Sequence, residues 1–327
     1  MFKRLRRNRK SASIRALLQE TSLSPSDLVA PLFVTEGEHV IEKIHKLPGV
    51  FRYSIDELVL IAKKYHEKGI PAIALFPHIN PLLRDELATE AYHPNGLIPR
   101  ALITLKKEIP SLTLISDVAL DPYTSHGHDG VLDTHHFVDN DATIDLLIKQ
   151  ALTHAAAGVD IVAPSDMMDG RVKLIREALD INGYSDVAIL SYTAKYASSL
   201  YAPFREAINT KLAFGDKKTY QMNPANIREA LLEASSDEEE GADMLLVKPA
   251  LLYLDVITKI REASHLPLGA YHVSGEYAMV MAAQELGMLD ADAVFYEQML
   301  SIKRAGADFI FTYAIDSLLK TMSSRFT

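Results

Sequence analysis

Eight short apolar runs recur along the chain, and segments with helical spacing lie between most of them. A short, continuous apolar run is typical of a strand that is buried on both faces, as in a parallel sheet. The predicted strands are Leu28–Val34, Pro71–Phe76, Leu112–Val118, Val159–Ala163, Val187–Tyr192, Asp243–Lys248, Leu266–Val273 and Asp308–Tyr313. Eight strands that alternate with helices predict an α/β fold, the (β/α)8 or TIM barrel.

The segments between the strands supply the helices that this fold requires. The predicted helices are Ile55–Lys68, Asp141–Ala157, Asp169–Ile181, Asn226–Glu239, Leu252–Ala263 and Asp290–Ala305. Several end at a glycine that can take the left-handed cap conformation, such as Gly158 and Gly306. A doubly wound open sheet is the alternative fold, but no Gly-x-Gly-x-x-Gly motif follows the first predicted strand. We therefore expect one barrel domain over residues 26–327.

Residues 1–25 are predicted to form an extended N-terminal arm outside the barrel. The first twenty residues are basic, with no acidic residue before Glu20. An arm laid over a neighbouring subunit, a transit peptide and a solvated tail all fit this composition.

Composition excludes several classes of protein and of site. The 327-residue chain has a net charge of −9, which argues against a nucleic-acid partner. It contains no cysteine, so it cannot form disulfides, thiolate nucleophiles or zinc sites built on cysteine. No apolar run approaches the length of a membrane span, and the N-terminus lacks the apolar core of a signal peptide. We expect a soluble protein of the cytoplasm with no membrane partner, a transit peptide being the alternative.

Two lysines stand at the ends of successive predicted strands. Lys248 closes the apolar run Met244-Leu-Leu-Val247, and Pro249 should end the strand there because proline lacks an N–H. Lys195 follows the preceding predicted strand. Two ammonium groups about 5 Å apart, at an effective dielectric constant near 20, repel by roughly 3 kcal/mol, or about two pKa units. With burial added, one amine should be largely neutral near pH 7 and able to attack a ketone.

Most of the other predicted strands also end in polar or ionisable residues, as expected where the catalytic face of a barrel lies. These residues are Glu36, His78, Asp117, Asp121, Ser165, Asp166, Ser274 and Tyr313. The segment of residues 196–223 is long for a loop and mixes aromatic residues with cations. We interpret it as a lid that carries anion-binding groups, the alternative being a surface excursion with a small core of its own.

Long motifs resemble the porphobilinogen synthase family, also called 5-aminolevulinate dehydratase, almost from end to end. They include Asp117-Val-Ala-Leu-Asp-Pro-Tyr-Thr-Ser-His-Gly-His-Asp-Gly130, Ala163-Pro-Ser-Asp-Met-Met-Asp-Gly-Arg171, Tyr220-Gln-Met-Asn-Pro224, Val247-Lys-Pro-Ala250 and Tyr271-His-Val-Ser-Gly-Glu-Tyr-Ala278. The resemblance implies a barrel with an N-terminal arm, assembled as a homo-octamer. It also implies a lyase that condenses two 5-aminolevulinate molecules into porphobilinogen, with loss of two waters through lysine Schiff bases, in tetrapyrrole (haem) synthesis.

The resemblance also assigns roles to individual residues. Lys248 would be the Schiff-base lysine and Lys195 the second catalytic lysine. Ser274 and Tyr313 would hold one substrate carboxylate. The other carboxylate would be held by Arg205 and by Lys217, where the family often has arginine. Asp121, Asp129, Ser165 and Gln221 are further expected substrate contacts, and the two aspartates are expected to face the substrate amino group.

The expected metal follows from the same comparison. Zinc-dependent members of the family carry cysteines where this chain has Ala119, Asp121 and Asp129, so we expect no catalytic zinc. The resemblance places a regulatory, allosteric Mg²⁺ at Glu233. Two alternatives stay open: a metal-dependent hydrolase that uses His126 and His128, and a scaffold without catalytic activity.

Overall fold

The computed structural model describes residues 2–325, and its centre is a ring of eight parallel strands. Each strand of the ring pairs with its neighbours in chain order, and the last strand pairs with the first, Leu28 lying opposite Ile310. The strands of the ring are β1 (Leu28–Val34), β4 (Ala72–Pro77), β5 (Thr113–Val118), β6 (Ile161–Pro164), β7 (Ala188–Lys195), β8 (Met244–Lys248), β9 (Leu268–Tyr271) and β10 (Phe309–Phe311). The predicted TIM barrel is confirmed, and the open doubly wound sheet is wrong because no strand of the ring is left with an open edge in the described chain.

The ring forms because its strands are apolar on both faces. All seven residues of β1 and all six of β4 are buried. One face of each strand packs into the barrel interior and the other packs against the surrounding helices. A short hairpin, β2 (Ile41–Lys43) and β3 (Phe51–Tyr53), extends the sheet beside β1. The sequence patterns did not predict this hairpin.

Helices surround the ring, and all six predicted helices are present within about two residues of their expected ends. The helices are α1 (Ala12–Leu17), α2 (Ile55–Glu67), α3 (Leu97–Glu108), α4 (Asn140–Ala156), α5 (Arg171–Ile181), α6 (Ala202–Ala207), α7 (Arg228–Glu239), α8 (Leu254–Ala263), α9 (Ser274–Glu285), α10 (Ala291–Ala305) and α11 (Ile315–Arg325). Gly158 and Gly306 follow α4 and α10 with φ of 88° and 120°, as their predicted role at helix ends requires. Among residues 2–325, no helix combines the length and the apolar character that crossing a membrane would require.

The basic N-terminal segment forms a short 3-10 turn, Leu5–Arg9, and then α1. Neither element contains a buried residue in the part of the chain that the structure describes. The segment therefore adds nothing to the core of the barrel. Its role as an arm over residues 1–25 stays a prediction.

The lid, residues 196–223, begins directly after β7 and continues into α6. The ring of Phe204 packs on Phe33 and Phe76, with centroid distances of 5.8 and 5.4 Å. The Arg52 guanidinium donates hydrogen bonds to the carbonyl oxygens of Glu206 and Ala207, at 2.6 and 2.7 Å. Because Phe33 and Phe76 lie near the carboxyl ends of β1 and β4, the lid lies over the face where chemistry is expected.

Candidate active site

Lys195 and Lys248 lie side by side at the carboxyl ends of β7 and β8. The two residues are direct partners in the register of these strands. Their exposed fractions are only 5% and 6%. Strand β8 ends at Lys248, as Pro249 predicts. The structure therefore brings together the two lysines that the sequence indicated, in a buried position.

The Lys248 ammonium lies in a box of aromatic rings. Its Nζ is 4.5 to 5.4 Å from four ring centroids, those of Tyr192, Tyr201, Phe204 and Tyr271. Burial, together with repulsion by Lys195, lowers the pKa of Lys248 to about 7, although Asp117 partly opposes this change. The Lys248 amine is therefore about half neutral at pH 7, which is the state that attacks a ketone.

Lys195 is held by the loop that follows β6. Its Nζ donates a short hydrogen bond to the backbone carbonyl oxygen of Ser165. The next residue, Asp166, is fully buried, and this burial raises the pKa of its carboxyl group to about 6 despite nearby Arg171. The predicted contact residue Ser165 thus lies at the site, next to the second lysine.

The carboxyl group of Asp117, a half-buried residue, lies beside the two lysines. Burial raises its pKa to about 6, while the ammonium groups of Lys248 and Lys195 act in the opposite direction. Within residues 2–325, its Oδ1 atom is buried without a hydrogen-bond partner. The group can therefore exchange a proton near neutral pH. The sequence placed Asp117 at the end of a strand but did not assign it a role.

Lys217 forms an ion-pair cluster with two aspartates that follow β5 in the chain. Its Nζ is 3.0 Å from Oδ2 of Asp121 and 3.1 Å from Oδ1 of Asp129. Burial alone would lower the pKa of Lys217, but the two carboxylates outweigh burial and raise it. For Asp129 burial acts in the other direction and would raise the pKa of the carboxyl group, but Lys195 and Lys217 lower it to about 2. In this structure Lys217 therefore contacts protein carboxylates.

A cavity of about 30 Å³ separates these groups. Its lining includes seven of the predicted site residues, namely Lys195, Lys248, Arg205, Lys217, Asp121, Ser165 and Gln221. About 10–15 Å³ of such volume holds one water molecule, so the cavity is far smaller than a pair of five-carbon substrates. The lid must therefore move, at least in its side chains, before substrates enter.

Ser274 and Tyr313 do not line this cavity. The Ser274 hydroxyl donates to the carbonyl oxygen of Leu200 at 3.3 Å and accepts from the N–H of Phe204 at 3.0 Å. The Tyr313 hydroxyl is 3.0 Å from that of Tyr271, whose ring faces Lys248. Both residues thus lie one layer behind the aromatic box, and Ser274 contacts the backbone of the lid.

The histidines proposed for a hydrolase serve a structural purpose here. His126 Nδ1 accepts from the N–H of His128 at 3.2 Å. His128 Nε2 donates to the carbonyl oxygen of Phe214 at 3.1 Å, which leaves Nδ1 to accept from the hydroxyl of Tyr220 at 3.2 Å. Within residues 2–325, Nε2 of His126 has no hydrogen-bond partner, but both ring nitrogens of His128 are occupied, so the two histidines do not offer a pair of open ligand atoms to a metal.

Glu233 lies elsewhere, on α7, beside a separate cavity of about 280 Å³. Asp169, Arg171, Asp237 and Glu240 also line this cavity. Burial raises the pKa of Glu233 to about 7, Arg171 opposes this, and Asp237 and Asp169 add to it. Among the described residues, the carboxylates here do not form a cluster of three donor atoms within 4.8 Å. Because the carboxylates are spread around the cavity, water molecules would have to complete the ligands of a bound cation. A cation such as Mg²⁺, which keeps several water ligands, fits this arrangement.

Comparison with known proteins identifies the family of this chain. The sequence profile described as delta-aminolevulinic acid dehydratase matches residues 2–321. The chain belongs to the delta-aminolevulinic acid dehydratase family. It is 51% identical over 326 residues to the delta-aminolevulinic acid dehydratase of Chlamydia pneumoniae, covering 100% of this chain and 98% of that protein. It is 52% identical over 314 residues to the chloroplastic enzyme of Hordeum vulgare, covering 96% of this chain and 73% of that protein.

A solved structure of the same family has almost the same fold. The delta-aminolevulinic acid dehydratase (porphobilinogen synthase) of Toxoplasma gondii, in complex with its product porphobilinogen, superposes with a TM-score of 0.97 at 50% identity. The match covers 99% of this chain and 92% of that one. Membership in this dehydratase family makes the chain an enzyme of the lyase class, in porphyrin biosynthesis.

Proposed function

We propose that Lys195 and Lys248 carry out the condensation of two 5-aminolevulinate molecules into porphobilinogen through Schiff bases. The observation that carries this proposal is the buried pair of lysines in direct register, one of which has a pKa of about 7. The Toxoplasma gondii relative, at a TM-score of 0.97, was solved with porphobilinogen bound. Two substrates give one porphobilinogen and two waters, which balances the atoms.

Lys248 in its neutral form attacks the substrate ketone, and the adduct loses water to give the imine. This step needs a group that moves a proton to the departing oxygen. Asp117 suits this role because it lines the same cavity and its pKa is raised to about 6. Repulsion by Lys195 adds to burial in lowering the pKa of Lys248, and Lys195 would bind the second substrate.

The remaining residues bind the substrate. Arg205 and Lys217 would hold one substrate carboxylate, and Ser274 and Tyr313 the other. For the second pair, the contacts of Ser274 with Leu200 and Phe204 must first break, which links carboxylate binding to movement of the lid.

Four side chains complete the proposed site. Asp121 and Asp129 face the substrate amino group, because two carboxylates close to a single cation form a site for an ammonium ion. Ser165 and Gln221 lie on the wall of the same cavity. Their position supports direct contact with substrate.

Glu233 is proposed to hold a regulatory Mg²⁺, with Asp169 and Glu240 as further oxygen donors through water. The Mg²⁺ supplies positive charge to an acidic cavity outside the active site, so its role would be structural and allosteric. We also propose a homo-octamer held together in part by the N-terminal arm. A cytoplasmic location stays a prediction, and the barley relative is described as chloroplastic.

Borohydride trapping tests the proposed function. Reduction in the presence of 5-aminolevulinate should fix the substrate carbon skeleton on Lys248, identified by peptide mass spectrometry. Exposed Lys259 provides the matched control lysine, because its ammonium is paired with Glu262 at the surface. Label on Lys259 alone, or activity that survives Lys248→Met, would contradict the proposal. Hydrolase activity that depends on His126 and His128 would persist in Lys248→Met. A scaffold without catalytic activity would form no porphobilinogen even as the wild type.

A further inference from the structure

The ion pair of Lys217 occupies the place where the substrate amino group is proposed to bind. Its Nζ contacts both Asp121 and Asp129, at 3.0 and 3.1 Å, and the side chain is only 8% exposed. The adjacent cavity of about 30 Å³ holds roughly one or two water-sized groups, which leaves no room beside Lys217 for an ammonium group together with the carbon chain that carries it. A substrate amino group can therefore reach the two aspartates only if Lys217 leaves them.

Charge balance indicates what happens to Lys217 when it leaves. If Lys217 stayed in place, its ammonium group, which already pairs with Asp121 and Asp129, would have to pair with the substrate carboxylate as well. If the substrate ammonium takes the place of Lys217, the numbers of charges are equal. The carboxylates are those of Asp121, Asp129 and the substrate, and the cations are Lys217, Arg205 and the substrate ammonium. Exchange of one ammonium group for another thus frees Lys217 for the substrate carboxylate without leaving a buried charge unpaired.

The backbone around Lys217 is arranged so that its side chain can move alone. The Lys217 carbonyl oxygen accepts from the N–H of Gln221 at 2.8 Å, in a turn. On either side, Phe214 is held by His128 at 3.1 Å, and the Tyr220 hydroxyl accepts from the N–H of Asp129 at 3.3 Å. These bonds do not involve the Lys217 side chain, and its four methylene groups allow the ammonium to swing within the closed lid.

We propose that Lys217 is an exchangeable stand-in for the substrate ammonium and thereby determines specificity. In the free enzyme it occupies the Asp121–Asp129 subsite, and only a ligand that carries its own primary ammonium group displaces it. This inference rests on the proposed function, in which the two aspartates bind the substrate amino group. A lysine suits the role because it is a compact point charge on a flexible stem, whereas arginine is a planar fork.

Two unreactive ligands test the exchange. Pentanoate and 5-aminopentanoate share the chain length and the carboxylate of the substrate, lack its ketone and differ only in the amino group. Their dissociation constants are measured by titration calorimetry at pH 8. The quantity of interest is the constant for pentanoate divided by that for 5-aminopentanoate. This ratio isolates the contribution of the amino group.

Lys217→Met should raise this ratio at least about tenfold over the wild type, because the amino group then meets two unpaired carboxylates without a competitor. The double variant Lys217→Met with Asp129→Asn should lose most of that gain. Arg205→Met is the matched control: it removes a cation from the same lid that does not contact the aspartates. It should weaken both ligands equally and leave the ratio unchanged.

The outcomes separate the inference from the proposed function. A ratio that is already high in the wild type, is unchanged by Lys217→Met and is lost in Asp129→Asn would refute the exchange but keep the amino subsite. A ratio near one in every variant would refute the amino subsite itself. Binding of ethylammonium gives a second readout: it should bind folded Lys217→Met at least about tenfold more tightly than the wild type. Equal binding of ethylammonium would overturn the exchange.

Discussion

The substitution Lys195→Met should raise the pKa of Lys248 and slow its reaction with ketones at neutral pH. Methionine keeps an unbranched side chain of similar length in the barrel but removes the ammonium group. The structure makes this a direct test, because burial lowers the pKa of Lys248 to about 7 and repulsion by Lys195 is the next largest contribution.

The register of β7 and β8 sets the size of the effect. Lys195 and Lys248 are direct partners on neighbouring strands, which lie about 5 Å apart. If this strand spacing of about 5 Å is taken as the separation of the two ammonium groups, with an effective dielectric constant near 20, they repel by roughly 3 kcal/mol, or about two pKa units. The pKa of Lys248 should therefore rise to about 9 in the variant, because burial remains. At pH 7 its neutral fraction would fall from about one half to about one in a hundred.

The assay is the rate at which 4-oxopentanoate and cyanoborohydride label Lys248, followed by peptide mass spectrometry between pH 5 and 10. In the wild type the rate should level off above about pH 7, and in Lys195→Met above about pH 9. Lys259→Met replaces an exposed lysine on α8 and should leave the profile unchanged. The same midpoint in Lys195→Met and wild type would refute the reasoning, since burial alone would then account for the pKa.

Four further predictions follow from the same structure. Arg205→Ala should raise KM about ten- to a hundredfold, because a charge-assisted contact contributes roughly 1.5–3 kcal/mol; unchanged kinetics would remove Arg205 from the substrate. Deletion of residues 1–20 should shrink the particle in light scattering, and an unchanged mass would favour a solvated tail. Glu233→Ala should reduce activation by Mg²⁺ but keep a basal rate and borohydride trapping, whereas full Mg²⁺ activation would place the cation elsewhere. Wild-type stability relative to Lys248→Met should rise by about 1.4 kcal/mol per pH unit between about pH 7 and about pH 10, because the folded protein loses this proton near pH 7 and the unfolded chain only near about pH 10.4; parallel curves would contradict the lowered pKa of Lys248.

Local patterns were sufficient for the eight strands of the ring, for six of the helices and for the lysine pair. A continuous apolar run predicts a buried strand wherever it lies in the chain, and Pro249 marks the end of β8 through its own missing N–H. The hairpin of β2 and β3 was missed because neither strand has a buried apolar face: β2 is exposed along its whole length. Its register depends on pairing with β1, which no local pattern encodes.

The binding partners of the site residues could not be predicted in the same way. The sequence predicted that Ser274 and Tyr313 bind substrate, yet here they contact Phe204 and Tyr271 behind the cavity. The aromatic box around Lys248 combines rings from β7, β9 and the lid, far apart in the chain. Only packing decides which of many tyrosines and phenylalanines approach one ammonium group.

The sequence by itself determined the barrel, the position of Lys195 and Lys248 at strand ends, and the absence of any thiolate chemistry. These properties depend on residue type and on spacing within a few turns or strands. Only the tertiary structure decided which of the two lysines has the lowered pKa and which residues pair with Lys217. These partners, Asp129 and Asp121, lie 88 and 96 positions away in the chain. The physical reason is that electrostatic energy in a buried site depends on distances of a few ångströms between groups, and folding alone sets those distances.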